Sequence, residues 1–220
     1  GMPIRSFQSV YEGLTQRIPV RHVSRDFYRY FPFSRSNQNK LYLLFSRMMD
    51  IISSLLGLLF CVLITPFIFI GNLFYNKGPL IYKQDRVGRN GKVFQVYKFR
   101  SMVVNAEENG PQYSRTGDTR VTRFGRFLRR SRLDESPQFW NVLTGDMSMI
   151  GPRPERPEFV EVLTEKIPFY EVRHVIKPGI TGWAQVNAKY GENEDDSLEK
   201  LQYDLYYIKH RSVLMDFSII

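Results

Sequence analysis

Residues 51–71 read Ile-Ile-Ser-Ser-Leu-Leu-Gly-Leu-Leu-Phe-Cys-Val-Leu-Ile-Thr-Pro-Phe-Ile-Phe-Ile-Gly, and no charged residue occurs between Asp50 and Lys77. About 20 such residues cross a bilayer as a helix. A chain of 220 residues has little other apolar surface with which to enclose this one, so a membrane segment is expected. Pro66 lies well inside the run. It removes one helical hydrogen bond and crowds the preceding turn, which predicts a kink, and Thr65 can bond a freed carbonyl. Both flanks are basic: Lys40 and Arg47 before, and Lys77, Lys83, Arg86 and Arg89 after. The positive-inside rule then favours the cytoplasmic side for both ends. A kinked helix with both ends inside is re-entrant; the residues alone leave a full span open.

Lysine and arginine outnumber acids 31 to 22, for a net charge of +9. That points to an anionic partner: nucleic acid, anionic headgroups or a phosphorylated substrate. The single cysteine, Cys61, excludes an internal disulfide. His22, His174 and His210 are scattered without metal-ligand spacing, so a zinc site is not expected. Residues 3–39 are polar, aromatic and basic, with no signal-peptide core. Gly1-Met2 reads as a protease scar and Asp216-Phe-Ser-Ile-Ile breaks off in mid-pattern, so a fragment of a longer protein is expected.

The chemistry concentrates at Leu133 to Asp146, Leu-Asp-Glu-Ser-Pro-Gln-Phe-Trp-Asn-Val-Leu-Thr-Gly-Asp. Ser136 reads as an N-cap, Pro137 as the first helical residue and Gly145 as the residue after the end. Asp134 and Glu135 would sit at the positive end of this helix, where a phosphate would also bind. Arg120, Arg123, Arg126, Arg129, Arg130 and Arg132 lie just upstream. The plain alternative is that the acids neutralise the arginines and cap the helix.

Leu80–Val87 and Val93–Phe99 read as a β-hairpin around Asn90-Gly91. The second strand runs into Tyr-Lys-Phe-Arg-Ser-Met (97–102), whose Lys98 and Arg100 make either a solvated face or a phosphate-facing edge. Residues 103–119 read as a loop. Arg120–Arg132 reads as a basic helix with Phe124, Phe127 and Leu128, suited to the headgroup level. Pro152 and Pro154 fix the backbone around Arg153, whose planar fork could face a phosphate or simply a surface. Residues 157–174 read as helical with a break near Pro168, 177–190 as a glycine-punctuated loop, and 197–211 as a helix with Leu198, Leu201, Leu205 and Ile208 on one face. Glu192, Glu194, Asp195 and Asp196 read as a solvated helix start.

Five ordered stretches together resemble the bacterial sugar transferases of the monotopic phosphoglycosyl transferase class. They are the apolar helix with Pro66, Tyr-Lys-Phe-Arg-Ser-Met (97–102), Arg-Leu-Asp-Glu-Ser-Pro-Gln (132–138), Asn-Val-Leu-Thr-Gly-Asp-Met-Ser-Met-Ile-Gly-Pro-Arg-Pro (141–154) and Lys-Pro-Gly-Ile-Thr-Gly-Trp-Ala-Gln-Val-Asn (177–187). The resemblance covers roughly residues 43–217 and implies an α+β, mostly helical fold: a proline-kinked re-entrant helix, interfacial amphipathic helices and a small β-hairpin. The expected division is 1–39 as the end of a truncated upstream region, 40–77 as the re-entrant helix and 78–220 as a cytosolic interfacial catalytic region.

The implied activity is transfer of a sugar 1-phosphate from a UDP-sugar to undecaprenyl phosphate, releasing UMP, on the cytoplasmic face of the bacterial inner membrane, as the first membrane step of exopolysaccharide, capsule or O-antigen assembly. Asp134 resembles the nucleophile, forming an aspartyl phospho-sugar. Glu135, with Asp134, would hold Mg²⁺ or assist the lipid phosphate. Lys98, Arg100, Arg129 and Arg153 would bind phosphate. Relatives continue Gln-Val-Asn with Gly-Arg; here Ala188-Lys189 follow, which assigns the corresponding phosphate role to Lys189. Anionic headgroups are expected partners and nucleic acid is not, since no nucleic-acid motif accompanies the charge. The oligomeric state is left open, a homodimer included. The competing class is a catalytically inactive scaffold of a glycan-assembly complex.

Overall fold

The computed structural model describes residues 6–22, 39–76, 78–108, 110–113, 117–188 and 193–220. A short helix, α1 (Phe7–Thr15), and a 3-10 turn at Val20–His22 precede α2 (Lys40–Tyr75), which contains the apolar run. The 36 residues of α2 make it about 54 Å long at 1.5 Å per residue. Asn39 caps its start by accepting from the N–H groups of Leu41 and Tyr42.

The helix continues through Pro66. Thr65 Oγ1 donates to Cys61 O at 2.7 Å. The carbonyl that Pro66 cannot serve is that of Val62, so Thr65 ties down its neighbour rather than the orphan itself. Asp50, Ser54, Gly57, Cys61, Ile64, Ile68 and Gly71 recur every three or four residues and form one face of α2. That face is small enough for aromatic rings to lie on it: a Cβ on Gly57 would meet Phe139 at 2.5 Å, and one on Gly71 would meet Phe124 at 2.3 Å. The other face exposes Leu55, Leu56, Leu59, Phe60, Leu63 and Phe67.

Strands β1 (Ile81–Val87) and β2 (Val93–Phe99) form the expected hairpin, with Val87 opposite Val93 and Ile81 opposite Phe99. Asn90 and Gly91 both take positive φ, 57° and 75°, as a tight turn of this hand requires. Helix α3 (Arg123–Arg130) is shorter than the arginine run because Thr122 caps it, Oγ1 accepting from Gly125 N–H, while Arg120 turns aside to Asp118.

A 3-10 segment (Leu133–Gln138) leads into α4 (Phe139–Thr144), closed by Gly145 at φ 93°. Ser136 is therefore not an N-cap. It lies inside the 3-10 turn and donates to Leu133 O at 2.8 Å. The chain next forms β3 (Ser148–Ile150), α5 (Pro157–Lys166), a 3-10 segment at Tyr170–Val175 and β4 (Gly179–Thr181). Strand β4 pairs in parallel with β3, so part of the expected 177–190 loop is sheet. Helices α6 (Trp183–Asn187), α7 (Glu194–His210) and α8 (Val213–Ile219) complete the chain. Helix α7 starts with a capping box between Asn193 and Asp196, the solvated start expected for this acidic stretch; Glu192 lies outside the described residues.

The fold is thus α+β and mostly helical. The largest core joins Ile18 and Val20 to Leu163, Tyr170, Leu201 and Leu205. A second, of Cys61, Ile68, Phe99 and Leu128, sits between α2, the hairpin and α3.

Candidate active site

The site is built on the short turn at Leu133–Gln138. Arg132, at φ 58°, reverses the chain out of α3, and Glu135 N–H then bonds Arg132 O at 3.2 Å. Ser136 Oγ approaches Cys61 Sγ at 3.7 Å, so the back of the turn rests on the middle of α2. Asn141 locks the next helix to the hairpin: its Oδ1 accepts from Tyr97 N–H at 3.3 Å and its Nδ2 donates to Gln95 O at 2.7 Å. The turn is thereby held between the apolar helix and the strand that carries Lys98.

Asp134 and Glu135 are almost equally buried, 7% and 8% exposed, but their surroundings differ. Glu135 Oε1 accepts from Lys98 Nζ at 2.9 Å and from Arg153 Nη2. Its Oε2 accepts from Arg153 Nη1 at 3.4 Å and lies 3.7 Å from Arg132. Burial alone would push Glu135 up, but Arg153 and Lys98 reverse this and hold it well below the ordinary carboxylate range. Asp134 Oδ1 is buried and has no hydrogen-bond partner among the described residues. Burial, then the charge of Glu135, raises the Asp134 carboxyl against the pull of Lys98, Arg129 and Arg153. The pair therefore divides into one clamped carboxylate and one with an open oxygen. Lys98 is itself lowered by burial, with Glu135 opposing.

Both acids line a cleft of ≈ 630 Å³ that also takes in Lys98, Arg100, Arg129 and Arg153. Arg129 Nε donates to Ser101 Oγ at 2.9 Å, and Arg100 Nε to Pro79 O at 2.8 Å. Four of the five residues expected to bind phosphate thus share one cleft with the two acids. The fifth, Lys189, lies outside the described residues. Thr65 and Pro66 lie on α2, away from the cleft lining. No histidine is among the residues lining the cleft.

Among the described residues no group of three or more His, Cys, Asp or Glu side chains gathers to cage a metal ion. Mg²⁺ does not need such a cage, since it commonly takes one or two carboxylates plus water and substrate phosphates. The open oxygen of Asp134 fits that donor set. Glu135 would serve a metal only by giving up one of its cations.

A buried frame that no local sequence pattern announces forms part of the cleft wall. Arg173 and Asp204, 5% and 2% exposed, pair at 2.8 Å. Their one trace in the sequence is Asp204, a charge on the apolar face of α7, between Leu201 and Ile208. Arg47, a basic flank of the apolar run in the sequence, donates to Val142 O and Leu143 O, both at 2.7 Å, and closes the end of α4.

The sequence profile of the bacterial sugar transferases matches residues 41–220. The chain belongs to this family. It is 40% identical over all of its 220 residues to a UDP-N-acetylgalactosamine-undecaprenyl-phosphate N-acetylgalactosaminephosphotransferase of Aeromonas hydrophila, of which it spans 51%. It is 42% identical over 86% of its length to a UDP-glucose:undecaprenyl-phosphate glucose-1-phosphate transferase of Klebsiella pneumoniae, spanning 41% of that protein. It is 39% identical over 65% of its length to an undecaprenyl-phosphate galactose phosphotransferase of Salmonella typhimurium, spanning 32% of it. The chain therefore spans about half or less of the length of these three relatives, which are named for three different sugars.

Proposed function

We propose that this chain is the catalytic part of an enzyme that transfers a sugar 1-phosphate from a UDP-sugar to undecaprenyl phosphate and releases UMP. One observation carries the reading: a buried carboxylate with an open oxygen, Asp134, stands beside a carboxylate already neutralised by cations, in a cleft lined with lysine and arginine.

An oxygen of ionised Asp134 attacks the phosphorus that bears the sugar; the bond from that phosphorus to the UMP oxygen breaks, and UMP leaves with the electron pair. An oxygen of undecaprenyl phosphate then attacks the same phosphorus and Asp134 leaves as a carboxylate. Charge balances in both steps without a proton transfer, so the chemistry asks for cations rather than for a histidine acid or base. Lys98, Arg100, Arg129 and Arg153 supply them, and Lys189 is assigned the same role. Glu135 holds Lys98 and Arg153 in place between turnovers. Asp134 is the residue that would hold Mg²⁺ together with the substrate phosphates, and the ion would supply neutralisation of the diphosphate and of the leaving UMP.

The membrane reading follows from α2. Arg47 and Asp50 near its start bond to residues 142, 143, 148 and 149, and Asn72 and Asn76 near its end bond to residues 78 and 100. Both ends are therefore tied to the same catalytic region, which supports a re-entrant helix, bent at Pro66 in the bilayer, with its apolar face in lipid. The basic face of α3 then meets anionic headgroups. The location proposed is the cytoplasmic face of the inner membrane, and the role is initiation of exopolysaccharide, capsule or O-antigen assembly.

The test uses purified protein in detergent with Mg²⁺, undecaprenyl phosphate and a panel of UDP-sugars, with nucleotide release measured beside Asp134→Asn. UMP from at least one sugar, absent in the variant, supports the reading and names a donor. UDP in place of UMP overturns it.

A further inference from the structure

Arg153 sits between Pro152 and Pro154, two residues without an N–H, so this stretch can be held mainly through its carbonyls. Four consecutive carbonyls each receive a donor. Gly179 N–H donates to Pro152 O at 2.9 Å and Val87 N–H to Glu155 O at 2.9 Å. The two between them are held by side chains: Arg173 Nη2 donates to Arg153 O at 2.9 Å, and Arg86 Nη1 to Pro154 O at 3.0 Å. Arg173 is fixed in turn by Asp204 Oδ2 at 2.8 Å and by the Tyr170 hydroxyl at 2.6 Å. Arg86 is fixed by Gln84 Oε1 at 2.5 Å and by Glu155 at 3.5 Å. A buried guanidinium is a costly way to bond one carbonyl, because its charge must be desolvated and paired. What it gives here is a rigid backbone under one functional side chain.

We propose that Arg173, anchored by Asp204 and Tyr170, is a positioning residue for the phosphoryl transfer: it fixes the Arg153 backbone so that the Arg153 guanidinium meets Glu135 and the donor phosphate together. Arg86 does the same one residue on. This rests on the transfer reaction proposed above. Such a frame is what distinguishes a charge placed within about half an ångström from one that is merely nearby.

The experiment is a double-mutant cycle on UMP release, using wild type, Arg173→Lys, Arg153→Ala and the double variant. Arg173→Lys keeps the buried charge and loses the fork. It is expected to lower kcat/KM about 10²-fold, the scale of a small misplacement of a catalytic group, and to cost almost nothing further once Arg153 is alanine. Losses that multiply in the double variant would mean that Arg173 acts on the fold at large, and would overturn the proposal.

A second readout does not depend on turnover. Hydrogen exchange in Arg173→Lys should quicken at Val87 and Gly179, the amides that bond this segment, and not in α2 or α7. Unchanged exchange at those two amides, or quickening throughout, would overturn it. Should Arg173→Lys fail to fold, Tyr170→Phe, which removes one anchor of Arg173 and strands no charge, should give the same pattern at smaller size; a pattern without non-additivity there would count against the proposal. Wild type that releases no UMP defeats the transfer reading alone, and the exchange result then decides whether Arg173 holds this segment.

Discussion

Two regions of this molecule take charge out of water, and they do so by opposite rules. In one wall of the cleft, Arg173 and Asp204 form a buried pair in which one cation meets one anion; a tyrosine hydroxyl and a carbonyl bond the same guanidinium, whose Nε has no hydrogen-bond partner among the described residues. At the Leu133–Gln138 turn, two carboxylates share several cations, and one of the four carboxylate oxygens is buried with no hydrogen-bond partner among the described residues. The first arrangement is closed in charge, one cation to one anion, and gives rigidity. The second is open in charge, with Glu135 clamped by cations and Asp134 left outside that clamp. Isolated buried charge is expensive in either place; the unmatched atom at the pair is one N–H of a guanidinium already held through both its other nitrogens, whereas the one at the turn is an oxygen of Asp134, for which no hydrogen bond is found among the described residues.

The largest effect should come from the open oxygen. Asp134→Asn is expected to lower kcat by about 10⁴-fold or more, the loss seen when a covalent nucleophile is removed. Its melting temperature should hold or rise, because burial and Glu135 both oppose the Asp134 charge and the amide relieves both. UMP release and thermal unfolding of the same preparation check this. A variant that loses activity and stability together would place Asp134 with the closed pair.

Breaking the closed pair should do the reverse. Asp204→Ala strands a buried guanidinium, which costs about 3–5 kcal/mol of stability, read as a fall in the denaturation midpoint. Arg173→Met combined with Asp204→Leu should recover much of that loss, since no charge is left unpaired. If the double variant is no more stable than Asp204→Ala, the region is not a simple pair.

These two regions were unequally legible in the sequence. The apolar helix, the hairpin at Asn90-Gly91, the Gly145 cap and the Asp134-Glu135 pair were readable because each is written in adjacent residues. The open and clamped fates of the two acids were not, since they depend on Lys98 and Arg153, 37 and 18 residues away from Glu135. The β3–β4 pairing and the Arg173–Asp204 pair are likewise products of tertiary packing. Ser136 misleads because a good capping residue just before proline imitates a helix start, whereas the positive φ of Arg132 starts the turn four residues earlier.

A smaller test sharpens the electrostatic half of the contrast. Lys98 lowers the Asp134 carboxyl. Replacing it in Lys98→Met should therefore leave that carboxyl higher still, and the acid limb of kcat/KM should move to higher pH. The residual activity would be lost at a milder acidity than in wild type. An acid limb that stays in place, or moves down, would mean that Asp134 ionisation does not set it.

The smallest effect concerns the rim of the closed region. His174 adjoins Arg173, and burial, then the Arg173 charge, lowers its pKa to about 3. The unfolded chain binds a proton at this residue below about pH 6.5, while the folded chain stays neutral until near pH 3. Stability contributed by the neutral imidazole is therefore complete above pH 6.5 and is withdrawn as the pH falls toward 3. His174→Gln removes that term, so the melting temperature of wild type should fall more steeply between pH 7 and pH 5 than that of the variant. Parallel slopes would mean that His174 is protonated in the folded state. The Arg173–Asp204 region would then be open to water after all, and the distinction between a closed site and an open one would rest on the geometry of Asp134 alone.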